Sequence, residues 1–226
     1  MREICFDTET TGFEPKEGHR IVEIGCVELF NKVRTGKTYH TYVNPVRDMP
    51  EGAFKVHGLS SEFLKDKPKF SEIVQEFMDF VGDAKLIAHN AGFDMRFINH
   101  HLRECDLEII ERRNVIDSLE LARQKFPGAG NTLDALCKRF GVDLSRRTKH
   151  GALLDAELLA DVYIELLGGN QISMFASELE KKESDESKIQ INKNSLPKRQ
   201  FPLKESEVTS HKEFITKNFK ENLWDY

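Results

Sequence analysis

The sequence predicts an α/β fold, a mixed sheet flanked by helices, on three observations. Apolar segments alternate with turn signals from the start of the 226-residue chain to about residue 175. The first three of those segments read as strands, and later ones alternate between helical and strand patterning. No internal repeat breaks that order, and the length is enough for one sizeable core plus a tail.

The first strand is expected over 3–8, on the apolar run Ile4-Cys5-Phe6. Strands over 21–30 and 37–43 flank the short turn "NKVRTGK", which suggests an antiparallel meander. A helix over 70–82 leads to a strand over 85–89 and a helix over 93–105. A strand over 113–117 then precedes helices over 117–125, 131–140 and 151–167. Composition changes after Phe175, where the chain turns charged and Ser-rich with few large apolar residues. Such a stretch cannot bury enough surface to offset its ordering entropy, so 176–205 is expected to be a flexible linker after a domain over 1–175. In the segment 206–226, Ser210 and Glu213 fit a capping box. Phe214, Ile215, Phe219, Leu223 and Trp224 follow as a short amphipathic stretch, a docking helix on a tether.

Lys and Arg number 33 against 38 Asp and Glu, a net charge of −5, so no global basic field advertises nucleic-acid binding. Acids that hold metal ions would offset local basic groups, so a nucleic-acid enzyme is not excluded. Cys5, Cys26, Cys105 and Cys137 form no CxxC pair, which disfavours a structural zinc site and a disulfide framework. No signal peptide or membrane-length apolar run is visible, and the protein is expected to be soluble and cytoplasmic.

Three segments carry acids where apolar residues are expected. Strand alternation sends Cys5, Asp7 and Glu9 to one side and Ile4 and Phe6 to the other. Asp7 and Glu9 therefore converge, and they repel unless something positive lies between them. In "NAGFDMRFINHHLREC", helical spacing puts Asp94 in line with Phe97, Ile98, His101 and Leu102. In "HGALLDAELLADVYIELL", Asp155 is in line with Leu158, Leu159, Val162 and Leu166, whereas Glu157, Asp161 and Glu165 form a stripe facing water. Four inward acids are costly unless paired, and an all-oxygen anionic cluster suits a hard cation such as Mg²⁺ or Mn²⁺. His150, five residues before Asp155, is a candidate general base.

The segments "FDTETTG", "HNAGFD" and "HGALLDA" resemble the three motifs of the DEDDh exonuclease family, named for four acids and a histidine. The flanking blocks "HRIVEIG", "VNPVRDMPEGAFKVHGLS" and "NTLDALCKRFGVD" are similar to its bacterial proofreading members, and the likeness covers about residues 2–175. The resemblance implies a ribonuclease-H-like fold with a five-stranded mixed sheet. It implies two divalent cations held by Asp7, Glu9, Asp94 and Asp155, with His150 as general base. It implies hydrolysis of mispaired 3′-terminal nucleotides of DNA, with release of nucleoside 5′-monophosphates. Thr8, Thr10, Thr11 and Gly12 would contact the terminal nucleotide, as would His57 of the "VHG" segment. The family pattern often has an acid five positions before that histidine, where this chain has Gly52.

The pentapeptide "QISMF" is similar to the peptide by which bacterial proteins bind the sliding clamp, with Gln171 as an amide anchor and Met174 and Phe175 filling an apolar pocket. By resemblance the last segment tethers the chain to a polymerase alpha subunit, and a small third core subunit has a place in such an assembly. Two other readings compete. An RNA 3′ exonuclease of the same family shares the motifs, but the clamp-like peptide and long tail argue against it. A non-catalytic clamp-docking subunit would need none of the five catalytic-type residues.

Overall fold

The structure, a computed structural model, describes residues 1–147, 149–168 and 204–218. The linker expected over 176–205 lies outside these except for its last two residues. Gln171, Met174 and Phe175 lie outside the described residues as well.

Five strands form one mixed sheet in the order β3-β2-β1-β4-β5. The strands are β1 (Arg2–Thr10), β2 (Ile21–Phe30), β3 (Val33–Tyr42), β4 (Lys85–Ala88) and β5 (Val115–Asp117). β1, β2 and β3 are antiparallel, as the meander requires, and β4 and β5 run parallel to β1 and β4 respectively. β3 starts four residues earlier than expected. Asn31 and Lys32 both adopt positive φ, 50° and 64°, which makes a tight two-residue hairpin. The segment Thr35-Gly36-Lys37 then lies inside β3 as an irregularity opposite Glu28, with Gly36 at φ 84°.

Helices cover both faces. α1 (Glu51–His57) and α2 (Ser61–Leu64) were not expected, because neither is long enough to show a helical period. α3 (Phe70–Val81) and α4 (Ala91–Glu104) pack on the face carrying Ile4 and Phe6, with Phe77, Phe97, Ile98 and Leu102 fully buried. α5 (Ser118–Lys125), α6 (Leu133–Phe140) and α7 (Ala152–Leu166) cover the face carrying Cys5. α7 is wedged between the sheet and its neighbours. Ala156, Ala160 and Tyr163 face β1 and β2, while Leu158, Val162 and Leu166 face α5 and α6. Its acidic stripe is less wet than expected: Glu157 and Asp161 are half-covered by Arg146 and Arg34, at 3.2 and 3.0 Å.

The chain divides into two units, Met1–Lys181 and Lys182–Tyr226. In the second, α8 (Glu205–Asn218) starts before the expected cap. Glu207 reaches back to accept the Lys204 N–H at 3.2 Å, so Ser210 and Glu213 lie inside the helix rather than at its start. Phe214 is exposed and Ile215 is buried. Among the described residues no helix is long and apolar enough to cross a membrane.

Candidate active site

The site is built at the carboxyl end of β1, where open α/β sheets commonly place ligands. β4 pairs with β1 only from Glu3 to Cys5, so the rest of β1 runs on beyond it. Past that last pair, Asp94 from the first turn of α4 takes the place of a strand. Its Oδ1 accepts the Thr8 N–H at 3.1 Å and the Thr8 hydroxyl at 2.7 Å. Alternation holds as expected: Thr8 faces α4, while Asp7 and Glu9 share the side of Cys5, which packs under α7.

Asp155 comes down to the same place because β2 has no side chain at Gly25, the residue opposite Asp7. A Cβ there would overlap Leu153 N and the carbonyl carbon of Ala152, so the first turn of α7 sits directly on the strand. That turn is held by Glu23, a buried acid of β2 opposite Glu9. Glu23 Oε2 accepts the Ala152 N–H at 3.2 Å, and its Oε1 lies 2.7 Å from His40 Nε2. His150, in the loop before α7, is half exposed, and its backbone N–H donates to Val56 O of α1 at 3.3 Å.

Ligand atoms of Glu9, His150 and Asp155 all lie within 4.8 Å of one another. Asp7 and Asp94 fall outside that trio, but they are close enough for their charges to act on it. Burial, then Asp94, Glu9 and Asp155 in turn, push Asp7 well above the ordinary carboxyl range. Burial, with Asp155, Glu23 and Asp94 adding to it, pushes Glu9 up to about 8. Burial raises Asp94 to about 7 against the pull of the Thr8 hydrogen bonds. A buried cluster whose carboxyls are pushed upward is short of positive charge. Hard divalent ions suit its carboxylate-rich donor set.

One resident cation partly meets that need. Arg147 forks onto Asp155, Nε to Oδ1 at 2.5 Å and Nη2 to Oδ2 at 2.8 Å. Nη2 also donates to His150 Nδ1 at 2.8 Å, and Nη1 bonds Asp134 at the start of α6. His150 Nδ1 lies 3.2 Å from Asp155 Oδ2, yet both atoms act as acceptors there, bridged by the same Nη2. Asp155 is thus both an inward acid, as expected, and the partner of an arginine that sequence reasoning missed. Arg147 sits in an irregular loop, where no period marks it as inward. Glu23 was missed too, although an acid inside "RIVEIG" is the same kind of anomaly as Asp94.

A cleft of about 890 Å³ opens from Asp7, Arg147, His150 and Asp155 toward His89, Asn131 and Thr132. His57, at the end of α1, is buried, and burial lowers its pKa. Its Nδ1 accepts the Leu59 N–H at 3.0 Å, so Nε2 carries the proton and is turned to the Thr10 backbone. The Thr10 hydroxyl donates to Gly12 O at 2.6 Å, which leaves only its lone pairs for a ligand. Gly52 has open space around it.

Residues 4–163 match the profile of a family described as Exonuclease. The chain is 48% identical over 225 residues to the DNA polymerase III subunit epsilon of Rickettsia conorii, covering 97% of each. It is 42% identical over 235 residues to that of Salmonella typhimurium, covering 99% of this chain and 97% of its relative. Among solved structures, Exonuclease X in complex with 5′-overhanging duplex DNA aligns with a TM-score of 0.56 at 25% identity, over 74% of this chain and 90% of that one. The nuclease domain of 3′hExo, described as a DEDDh family member bound to rAMP, aligns with a TM-score of 0.64 at 18% identity, over 74% and 91% of the two chains. That second likeness is one of fold.

Proposed function

The chain belongs to the exonuclease family and to its DNA polymerase III epsilon branch, and from that premise we propose that Asp7, Glu9, Asp94 and Asp155 hold two Mg²⁺ or Mn²⁺ ions for the 3′–5′ proofreading of DNA. The observation that carries this reading is the convergence of Glu9, His150 and Asp155 beside Asp7 and Asp94, with Asp7, Glu9 and Asp94 pushed upward chiefly by burial. Divalent ions, when bound, supply Lewis-acid activation of water and neutralise charge at the scissile phosphodiester.

The chain's own residues do the rest. The carboxylates fix where the ions sit, held by Thr8 on the α4 side and by the Gly25 contact on the α7 side. His150 takes the proton of the attacking water at Nδ1, the nitrogen that faces Asp155. His57, whose ring is oriented against the Thr10 backbone at the end of β1, is assigned to the terminal nucleotide. The backbone of Thr8, Thr10, Thr11 and Gly12 lines the same end of β1. The cleft is of a size for a nucleotide, so the 3′ end enters unpaired, and a mispaired end separates more cheaply than a paired one.

As a subunit of a DNA polymerase the protein works on DNA within a polymerase core. The tail from 206 onward is assigned to the alpha subunit, Gln171, Met174 and Phe175 to the sliding clamp, and a small third core subunit completes the set. Such an assembly works in the cytoplasm. The deciding experiment incubates the purified chain with a 3′-mismatched primer, with and without Mg²⁺, and resolves products nucleotide by nucleotide. A metal-dependent ladder shortening one nucleotide at a time from the 3′ end is expected. Internal cleavage, or an undiminished primer, overturns the reading.

A further inference from the structure

Arg147 stands where the proposed metal site needs to be open. Its side chain is only 10% exposed, and its guanidinium engages both oxygens of Asp155 together with Nδ1 of His150. Those three acceptors are an acid and the base of the proposed reaction. A dication bound to Asp155 would lie a few ångströms from the guanidinium, and two unshielded cations at that separation in a buried site repel strongly. Both cannot stay. The arginine is the one with somewhere to go: Nη1 already bonds Asp134, which is half exposed on the rim of the cleft that Arg147 also lines.

We propose that Arg147 is a built-in competitor of the metal at Asp155, with Asp134 as the anchor that retains the guanidinium when an ion arrives. In the metal-free chain it supplies the positive charge that the acid cluster lacks. In the loaded chain its withdrawal frees Asp155 and the His150 lone pair in one movement, so acid and base become available together. The idea extends the metal assignment of Asp155 and rests on it. The field of Arg147 acts in the expected sense on the neighbours too, opposing the upward shift of both Asp7 and Glu9.

The test measures binding rather than turnover. The full chain is stripped of metal and titrated with Mn²⁺, following free Mn²⁺ by electron paramagnetic resonance, and the metal-free melting temperature is recorded. Arg147→Gln is expected to bind Mn²⁺ roughly tenfold more tightly than the unaltered chain, within the usual range of coupling between two ligands. Its metal-free form is expected to melt at a lower temperature. A merely structural arginine would weaken both together, so opposite signs are the signature. Arg147→Lys keeps the charge but cannot form the fork, and should tighten binding by a smaller factor; it decides the matter if Arg147→Gln does not fold. Mn²⁺ affinity unchanged or weakened in a folded variant overturns the proposal. Asp155→Asn separates the two levels. If it binds Mn²⁺ as the unaltered chain does, the metal assignment falls and the competitor falls with it. If it loses binding while Arg147→Gln gains none, only the competitor falls.

Discussion

Glu9 and Asp94 are carboxyls held up to about 8 and about 7 by burial, with neighbouring acids adding to it. A raised carboxyl keeps its proton in the folded chain over a range where the unfolded chain has lost it. Its contribution is complete below the ordinary value, 4.5 for Glu9, and is lost as pH rises through about 8. The metal-free chain should therefore lose stability between pH 5 and 8 (roughly the span of these shifts), and saturating Mg²⁺ should remove much of that slope. Burial lowers the pKa of His57, His89 and His101, which pulls the other way at the acidic end. The carboxyl part is isolated by comparing urea melts of the unaltered chain with Glu9→Gln, which should show the shallower slope. An equal slope would mean Glu9 is not the group that titrates. At the reaction itself, His150→Ala should lower kcat by about 10²–10⁴-fold, the ordinary worth of a positioned base. Asp155→Ala should abolish hydrolysis while circular dichroism stays unchanged, and wild-type turnover in that variant would remove Asp155 from the site. The four acids were legible because each breaks an apolar pattern that a strand or helix imposes. Arg147 and Asp134 break none: one is in a loop, the other on an exposed turn, and only folding brings them to Asp155.

Among the elements, the contact between β2 and α7 does most to shape the site. Gly25 lets the helix lie on the strand, and Glu23 caps that helix two residues along. Gly25→Ala forces main chain apart, and overpacking of this kind costs about 1–3 kcal/mol. Since the displaced turn carries Asp155, Mn²⁺ affinity should fall along with the urea midpoint. A variant that loses stability but binds Mn²⁺ normally would separate the two. The same strand shows why sequence patterning reached some elements and not others. β1, β2, α3, α4 and α7 show long apolar runs or stripes, and their expected bounds are close to those observed. α1 and α2 are held by local bonds instead: α2 by a Ser60 cap on Phe63 N at 3.1 Å, α1 by the His150 loop bonded to Val56 O. The expected β2–β3 turn was misplaced because a positive φ at Asn31 and Lys32 leaves no mark in hydropathy.

For the molecule as a whole, the exonuclease match over residues 4–163 lies within the first unit. A chain ending at Phe175 keeps β1, α4, the His150 loop and α7, so it should degrade single-stranded DNA at an undiminished rate. It should fail to co-elute with the polymerase alpha subunit, and retained co-elution would place that contact on the nuclease domain. Gln171→Ala with Phe175→Ala should weaken clamp binding in a surface-plasmon titration, with undiminished binding removing the clamp assignment. Five strands and a mixed sheet were readable from the letters through alternation and the short β2–β3 turn, whereas the order β3-β2-β1-β4-β5 was not.

The backbone bond from His150 to Val56 has a consequence for how this enzyme can change over time. The segment proposed to hold a strand end, closing with His57, and the segment carrying the proposed base are tied by that one bond. Selection acting on α1 for a looser or tighter hold is therefore felt at His150 as well. Grip and cutting speed should drift together across descendants of this sequence rather than independently.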